Sequence, residues 1–269
     1  MCEPKSMPER KFLWKPDPPS LKDWPAAPIL RAAKMVALPE WVKLDRLIAD
    51  ILNQGGLGSC SSNAIVQGLR AAMIRLGFAS PALASRLFLY YFMRAMIGTT
   101  QEDSGSHIRN GFDVIRKLGF CPESEWPYSD DDTTFKILPS AGATRTAFDQ
   151  LGGLGYFRID SKGADRVADV RAALAADYTV VFGTLVSDKF AEFKRDSAPL
   201  GPPEPSETIL GGHALLVGGY DLATDDFDIV NSWGPEYGID GWCKFDSSYI
   251  ADPRSGDFWI IETSPDFSE

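Results

Sequence analysis

Histidine and cysteine are scarce in this chain, whose 269 residues include two histidines and four cysteines. The cysteines are not spaced as pairs of metal ligands, and the histidines are few, so the sequence argues against a structural zinc site. Four cysteines over this length also do not make a disulfide scaffold, and we expect free thiols in a reducing compartment. The cysteines are Cys2, Cys60, Cys121 and Cys243, and the histidines are His107 and His213.

Basic clusters and long apolar runs are lacking as well. The formal net charge is -10 and the sequence pI is about 4.8, which makes the chain a poor partner for nucleic acid or anionic membranes. The first residues lack the apolar segment of a secretory signal, and the most apolar short run, residues 87–93, is far too short to cross a bilayer. The default location is cytoplasmic, with export by a signal-free route as the alternative. We also expect a monomer.

The chain begins with a proline-rich stretch, residues 1–37. Proline at this density cannot build a helix or a central strand, so we predict an extended arm. Trp14 and Trp24 lie within it and indicate that the arm docks on something. Three interpretations stay open: a disordered tail, a permanently docked segment, or a short inhibitory propeptide near or across a cleft.

The rest of the chain divides into a helical half and a mainly β half, with a boundary near residue 140. Helical spacing of apolar residues follows Cys60 and recurs within 83–97 and from 106 to 119. Segments rich in β-branched and aromatic residues come later and predict strands. The predicted strands are 155–159, 179–185, 213–220, 226–230, 242–245 and 258–261, with a short helix over 167–174 and a loop over 197–212.

One cysteine stands where a glycine-rich turn ends and a helix begins. Cys60 follows the run 54–59, Gln-Gly-Gly-Leu-Gly-Ser. A thiol in the first turn of a helix lies near unpaired backbone N–H groups and the positive end of the helix dipole. Both favour the thiolate, which is the reactive form of cysteine. The position therefore indicates a nucleophile.

Three other residues supply what such a nucleophile needs. A cysteine nucleophile requires a base or imidazolium partner, and that partner requires an orienting group. His213 and Asn231 can fill these two roles. Gln54 carries a side-chain amide donor that, with the Cys60 backbone N–H, could bind the oxyanion of a tetrahedral intermediate.

These segments together resemble the papain-like cysteine peptidases, family C1. The resemblance rests on Gln-Gly-x-x-Gly-Ser-Cys (54–60), Gly-His-Ala-x-x-Val-Gly-Gly-Tyr (212–220) and Asn-Ser-Trp-Gly (231–234), and it covers roughly residues 38–262. Weaker likenesses lie at 38–42, 126–128 and 238–242. The chain departs from the family pattern at Leu57, where a cysteine is usual, and at Ser61, where an aromatic residue is usual. The disulfide of that missing cysteine should be absent.

The resemblance implies an α+β, papain-like two-lobe fold with the cleft between the lobes. The arm (1–37) would precede a helical left lobe (38–140) and a β-barrel-like right lobe (141–269). Cys60 would attack a peptide carbonyl as a thiolate paired with the His213 imidazolium, Asn231 would hold the His213 ring, and water would cleave the thioester. The partner is then a peptide or protein substrate, without metal or organic cofactor. The implied substrate-binding residues are Ser104, Gly105, Ser106, Gly212 and Trp233, the last also shielding the histidine hydrogen bond.

Simpler interpretations exist for each residue. Cys60 alone could be a small buried hydrophobe, and His213 a core histidine. A glycine-rich turn before a helix can cradle phosphate, but 55–59 lacks the lysine of a P-loop. His107 could cap or line a helix, or reach the cleft.

At the level of function, an endopeptidase kept as a zymogen by its arm is the favoured hypothesis. A papain-like fold used only for binding, and acyl transfer to an amine, are the alternatives.

Overall fold

The computed structural model describes residues 10–150 and 154–263. Its central element is helix α2, Cys60–Arg75, which is buried along most of its length. The other helices are α1 Ala27–Ala33, α3 Arg86–Ala95, α4 Ile108–Leu118, α5 Ala141–Asp149, α6 Gly163–Ala175, α7 Asp188–Ala191 and α8 Ser247–Ala251, with 3-10 turns at Asp45–Leu47 and Thr134–Lys136.

The second half of the chain builds an antiparallel sheet whose two central strands are mostly buried. The strands are β1 Trp41–Lys43, β2 Leu154–Ile159, β3 Val180–Ser187, β4 Ile209–Asp221, β5 Asp226–Val230, β6 Trp242–Asp246 and β7 Gly256–Thr263. Their order is β2-β7-β3-β4-β5-β6, and β1 pairs with β4. Strands β2 and β6 are edges that do not pair with each other in the described ranges, so the sheet is not closed into a barrel.

The register of the central strands determines where the site forms. In the β3–β4 pair, Thr184 lies opposite His213, and Gly183 lies opposite Ala214. Because α2 packs against β3, β4 and β7, its first residue, Cys60, lies at the junction of the helical and β halves. The helix and the sheet share one apolar core, in which Ile65 and Leu69 pack with Val181 and Leu216.

Most of the predicted elements are present, and the α+β class is confirmed. The helices after Cys60 and the predicted strands appear within a few residues of their predicted bounds. The predicted loop over 197–212 is wrong at its end, because β4 begins at Ile209 and includes Gly211 and Gly212. Glycine has low strand propensity, so the sequence pattern does not indicate a strand at the first residues of β4.

The prediction that the proline-rich arm contains no helix is also wrong. Helix α1 forms within it, with Pro28 in the first turn, where proline's missing N–H is not needed. Leu30 in α1 and Ala26 just before it are completely buried in the main core, next to Val170 and Leu174 of α6. The arm therefore consists of an extended part, residues 10–23, and an anchored part, residues 24–33.

Cys60, Cys121 and Cys243 are free and buried, while Cys2 lies outside the described residues. Leu57, at the position where the family has a disulfide-forming cysteine, packs with Leu87, Tyr90 and Phe135. Apolar contacts therefore occupy the place of that disulfide. Within the described ranges, no cluster of acidic, histidine and cysteine side chains could hold a metal ion, and no helix is long and apolar enough to cross a membrane.

Candidate active site

Cys60 is the first residue of α2 and is completely buried. Ser59 before it is held in place because its hydroxyl pairs with that of Tyr128 at 2.6 Å and with the amide of Asn63 at 3.0 Å. The backbone N–H of Ala214 interacts with the Cys60 thiol. Ala214 directly follows His213, so this contact brings the thiol and the imidazole segments together.

His213 is oriented by Asn231. The Asn231 Oδ1 lies 2.8 Å from His213 Nε2 and also accepts the backbone N–H of Ser232 at 2.8 Å, which fixes the amide orientation. Nε2 must therefore carry a proton. In the neutral imidazole the other nitrogen, Nδ1, is then a free acceptor, and it has no hydrogen-bond partner among the described residues. This nitrogen is available to take the proton of a thiol.

Gln54 is completely buried and is held from the opposite lobe. Its Nε2 donates to the Leu57 carbonyl at 2.8 Å, and its Oε1 accepts the hydroxyl of Ser232 at 2.6 Å. The Gln54 backbone N–H donates to the Ser232 carbonyl at 2.8 Å. Ser232, which the sequence did not single out, therefore fixes Gln54 beside the start of α2. Its position between Asn231 and Trp233 was the only available signal.

Aromatic rings surround His213. The ring centroid of Trp233 lies 5.3 Å from that of His213, and Phe190 lies 5.6 Å from it. Phe12 of the arm approaches edge-on, 5.9 Å from His213 and 5.7 Å from Trp233. Arg10 places its guanidinium 4.5 Å from the centre of the Trp233 ring. The His213–Asn231 hydrogen bond is thus shielded from water, in part by the arm.

The arm runs across the site and contacts the backbone of predicted substrate-binding residues. Trp14 donates its N–H to the Gly212 carbonyl at 2.9 Å, and Lys15 donates to the Ser106 carbonyl at 3.4 Å. The Leu13 carbonyl lies against Gly105, where a side chain would collide with it. The Ser104 hydroxyl pairs with the Thr99 hydroxyl and with the Gly105 carbonyl, and it forms no hydrogen bond to the described part of the arm.

His107 also faces the arm. It is the N-cap residue of α4, and its side chain does not cap the helix. Instead, its Nδ1 lies 2.8 Å from the Pro16 carbonyl oxygen and 3.2 Å from that of Lys15. His107 therefore lies in the cleft, in contact with the arm.

With the arm in place, the electrostatics favour a neutral thiol and a neutral imidazole. Burial raises the pKa of the Cys60 thiol, although the N–H groups of Ala214 and Leu13 oppose the rise. Burial lowers the pKa of His213 to about 4; the Asn231 hydrogen bond opposes this, and the Arg10 charge adds to it. Both shifts favour a proton on the sulfur and none on Nδ1 while the arm covers the site.

A group of charged residues holds the arm where it leaves the site. Arg109 at the start of α4 binds Asp23 through two hydrogen bonds of 2.7 and 2.6 Å. Arg158 of β2 binds Asp257 of β7 at 2.6 Å and approaches Asp17 at 3.4 Å. We call these five residues the latch. It connects the arm to both halves of the molecule.

Asp17 is the buried member of the latch. Its carboxylate accepts the Arg109 backbone N–H at 3.0 Å and the Trp259 indole N–H at 3.1 Å, and its own N–H donates to Asp257 at 2.7 Å. Burial, together with the Asp257 charge, raises the pKa of Asp17 to about 7. The latch was not predicted, since its members are up to 240 residues apart.

Comparisons with known proteins agree with this geometry. No protein-family model matches the chain. An uncharacterized peptidase C1-like protein of Acanthamoeba polyphaga mimivirus is 33% identical over 231 residues, which cover 84% of this chain and 73% of that protein. The chain belongs to the papain-like cysteine peptidases, family C1. Members of this family hydrolyse peptide bonds, and the protein is a cysteine peptidase by its relationship.

Solved structures similar to this C1 peptidase include a cysteine protease and a procathepsin. Xylellain, a cysteine protease from Xylella fastidiosa, is 31% identical with a TM-score of 0.82, and the match covers 98% of this chain and all of xylellain. A procathepsin B from Trypanosoma congolense is 15% identical with a TM-score of 0.73, and the match covers 96% of this chain and 87% of the procathepsin chain. At that identity the likeness concerns the fold alone, and the papain-like fold predicted from the sequence is confirmed.

Proposed function

We propose that this C1 peptidase is an endopeptidase with Cys60 as nucleophile, His213 as acid and base, Asn231 as the group that orients His213, and Gln54 as oxyanion donor. The observation that carries the proposal is the His213 ring, which is bound to Asn231 through Nε2 and leaves Nδ1 free beside the Cys60 segment. A binding module would not need this arrangement.

The reaction begins when the thiol proton moves to His213 Nδ1. The Cys60 sulfur attacks the peptide carbonyl carbon, and the negative oxygen is bound by the Gln54 amide and the Cys60 N–H. The carbon–nitrogen bond then breaks as His213 gives its proton to the leaving amine. Water attacks the resulting thioester, His213 accepts a proton from it, and the thiol and the acid product are released.

The extended part of the arm acts as an inhibitor rather than a substrate. The Leu13 backbone lies near the Cys60 thiol and its N–H opposes the rise in the thiol pKa that burial causes. An N–H group is not electrophilic, and the Leu13 carbonyl points instead to Gly105. The arm therefore fills the cleft without offering a bond for attack. Release of residues 10–23 should activate the enzyme.

An endopeptidase is favoured because the extended part of the arm is a continuous chain that continues along the cleft on both sides of Cys60. Arg10 and Phe12 lie on one side at Trp233, and Lys15 and Asp17 lie on the other. A cavity of about 510 Å³ lies beyond Phe12, lined in part by Trp233 and Tyr237. A cleft of this kind accepts an internal stretch of polypeptide and does not require a free terminus.

The test uses a Trp14→Asp protein. Burial of the charged aspartate in place of Trp14 is unfavourable, so the arm should leave the cleft. We expect it to cleave peptides, to lose all cleavage on Cys60→Ala, and to be labelled at Cys60 by an epoxide-type thiol inhibitor. Cys121→Ala is the matched control: Cys121 is buried with a pKa raised to about 12, so its loss should change neither result. Cleavage that survives Cys60→Ala would refute the proposal. Products that carry a transferred amine would indicate acyl transfer.

A further inference from the structure

The glycine-rich turn before Cys60 is held by two carboxylates from outside it. The Gly58 backbone N–H donates to Asp103, whose two carboxylate oxygens each lie 3.1 Å from the Gly58 nitrogen. Asp130 Oδ2 accepts the Gly56 N–H at 3.0 Å. While these hydrogen bonds are in place, neither N–H is free to bind a phosphate, which was one interpretation of the glycine-rich turn.

The two carboxylates differ in burial. Asp130 is exposed and Gly56 is half-buried, so water can replace this acceptor. Gly58 is buried, and the Asp103 side chain is only 7% exposed. A buried backbone N–H without an acceptor is costly, so the Gly58 N–H depends on Asp103. Gly58 lies just before Ser59 and Cys60, so Asp103 binds the turn close to the nucleophile.

Asp103 is also connected to the segment that the arm contacts. Tyr90 donates its hydroxyl hydrogen to Asp103 Oδ1 and accepts the Gly105 N–H at 3.1 Å. Burial, together with the Asp103 charge, raises the pKa of Tyr90 well above its ordinary value, so the hydroxyl keeps its proton. Gly105 is one of the predicted substrate-binding residues. Asp103 and Tyr90 therefore connect that segment to the turn that precedes Cys60.

We propose that Asp103 is a positioning residue, which holds Gly58 and, through Tyr90, Gly105, so that Cys60 lies at the productive distance from the substrate carbonyl. The inference rests on the proposed function, because it concerns the same nucleophile. The hydrogen bonds of Asp103 to Gly58 and Tyr90 do not involve the arm, so they persist when residues 10–23 leave the cleft.

The arm reaches the same carboxylate. The ammonium group of the exposed Lys11 lies 2.7 Å from Asp103 Oδ2. A substrate with a basic side chain offers the same contact once the arm has left. Binding of such a side chain is a different role for Asp103 from positioning, and it predicts an effect on KM rather than on kcat.

The test measures kcat and KM in the full chain carrying Trp14→Asp, with active sites titrated by the epoxide-type inhibitor so that only folded enzyme is counted. We expect Asp103→Ala to lower kcat by about a hundredfold with KM nearly unchanged, because a small displacement of a reacting group costs about that factor. Asp103→Asn should recover most of the loss, since its amide oxygen still accepts the Gly58 N–H. Asp132→Ala is the matched control, because Asp132 is exposed and makes no hydrogen bond to the turn within the described ranges.

The outcomes separate the roles. An unchanged kcat per titrated site in Asp103→Ala, even with a lowered Tm, would overturn the positioning role and leave the peptidase assignment intact. A rise in KM confined to peptides with Lys or Arg would also overturn it, in favour of substrate binding. If the Trp14→Asp parent shows no Cys60-dependent cleavage, the proposed function fails instead.

A second variant serves if Asp103→Ala does not fold by circular dichroism. Asp103→Glu keeps the charge but moves the carboxylate away from the Gly58 N–H, so it should also lower kcat. An unchanged kcat in Asp103→Glu would then overturn the proposal.

Discussion

At the scale of single residues, each group of the candidate site is held by a neighbour that the sequence motifs do not emphasise. Ser232 is the clearest example, because its backbone and hydroxyl bind Gln54 and its N–H binds the Asn231 amide. One serine therefore binds both Gln54, the proposed oxyanion donor, and Asn231, the proposed orienting group for His213. We propose that Ser232 is a positioning residue.

Gln54→Ala should lower kcat by about two to three orders of magnitude, the scale of losing one oxyanion donor. Ser232→Ala should lower kcat by a smaller factor, since Gln54 keeps its bond to the Leu57 carbonyl. Both are measured in the Trp14→Asp background with a single peptide substrate. The substrate KM should hardly change in either variant. A change confined to KM would mean that Gln54 binds the ground state and not the oxyanion.

The residue pattern around Cys60 was readable from the sequence because local chemistry specifies it. A glycine turn, a helix start and the histidine and asparagine segments are each continuous in the chain. The contact made by Trp14 could not be predicted, because no residue near it in the sequence indicates which surface it packs against. That contact depends on the absence of side chains at Gly183 and Gly212, which lie in the second half of the chain.

At the scale of elements, the arm is a two-part structure. The anchored part carries α1, which belongs to the main core through Leu30, and the extended part carries the residues that cover the cleft. The end of the extended part next to the anchored part includes Leu21, which is fully exposed. Removing all of residues 1–37 would therefore remove α1 from the core as well as the part of the arm that covers the cleft. Truncation before Trp24 is the appropriate test of inhibition.

We predict that the latch makes arm docking depend on pH. Free Asp17 should have an ordinary pKa near 3.8, whereas docking raises its pKa to about 7. The docked arm thus binds a proton more tightly, so docking is strongest in acid and weakens as the pH rises through about 7. Each unit of pKa difference is worth about tenfold in the docking equilibrium. Asp23, Asp257, Arg109 and Arg158 are the other charged groups that face Asp17.

The measurement is the activity of the wild-type chain divided by that of Trp14→Asp at each pH from 5 to 9. The ratio cancels the pH dependence of the chemistry itself, and we expect it to rise with pH. Asp17→Asn, which has no titrating carboxyl group, should flatten the ratio. A ratio that rises toward acid would contradict the role of Asp17.

At the scale of the whole molecule, the fold class and most elements followed from the sequence. Apolar spacing identified α2 and the buried strands, because these patterns report burial directly. Among the features that were missed, three have a clear physical reason. Helix α1 was missed because Pro28 lies in a first turn, and the start of β4 was missed because glycine has low strand propensity. The open sheet was missed because closure depends on pairing between distant edge strands.

The proposal that the arm covers a reactive Cys60 nucleophile can be tested by the rate of Cys60 alkylation. Iodoacetamide modification is followed by mass spectrometry at pH 7 in the wild-type chain and in Trp14→Asp. In the wild type the thiol is buried and its pKa is raised, so alkylation should be slow. We predict that Trp14→Asp reacts at least about tenfold faster, at Cys60 and not at Cys121 or Cys243. Equal rates at Cys60 in the two proteins would contradict the account.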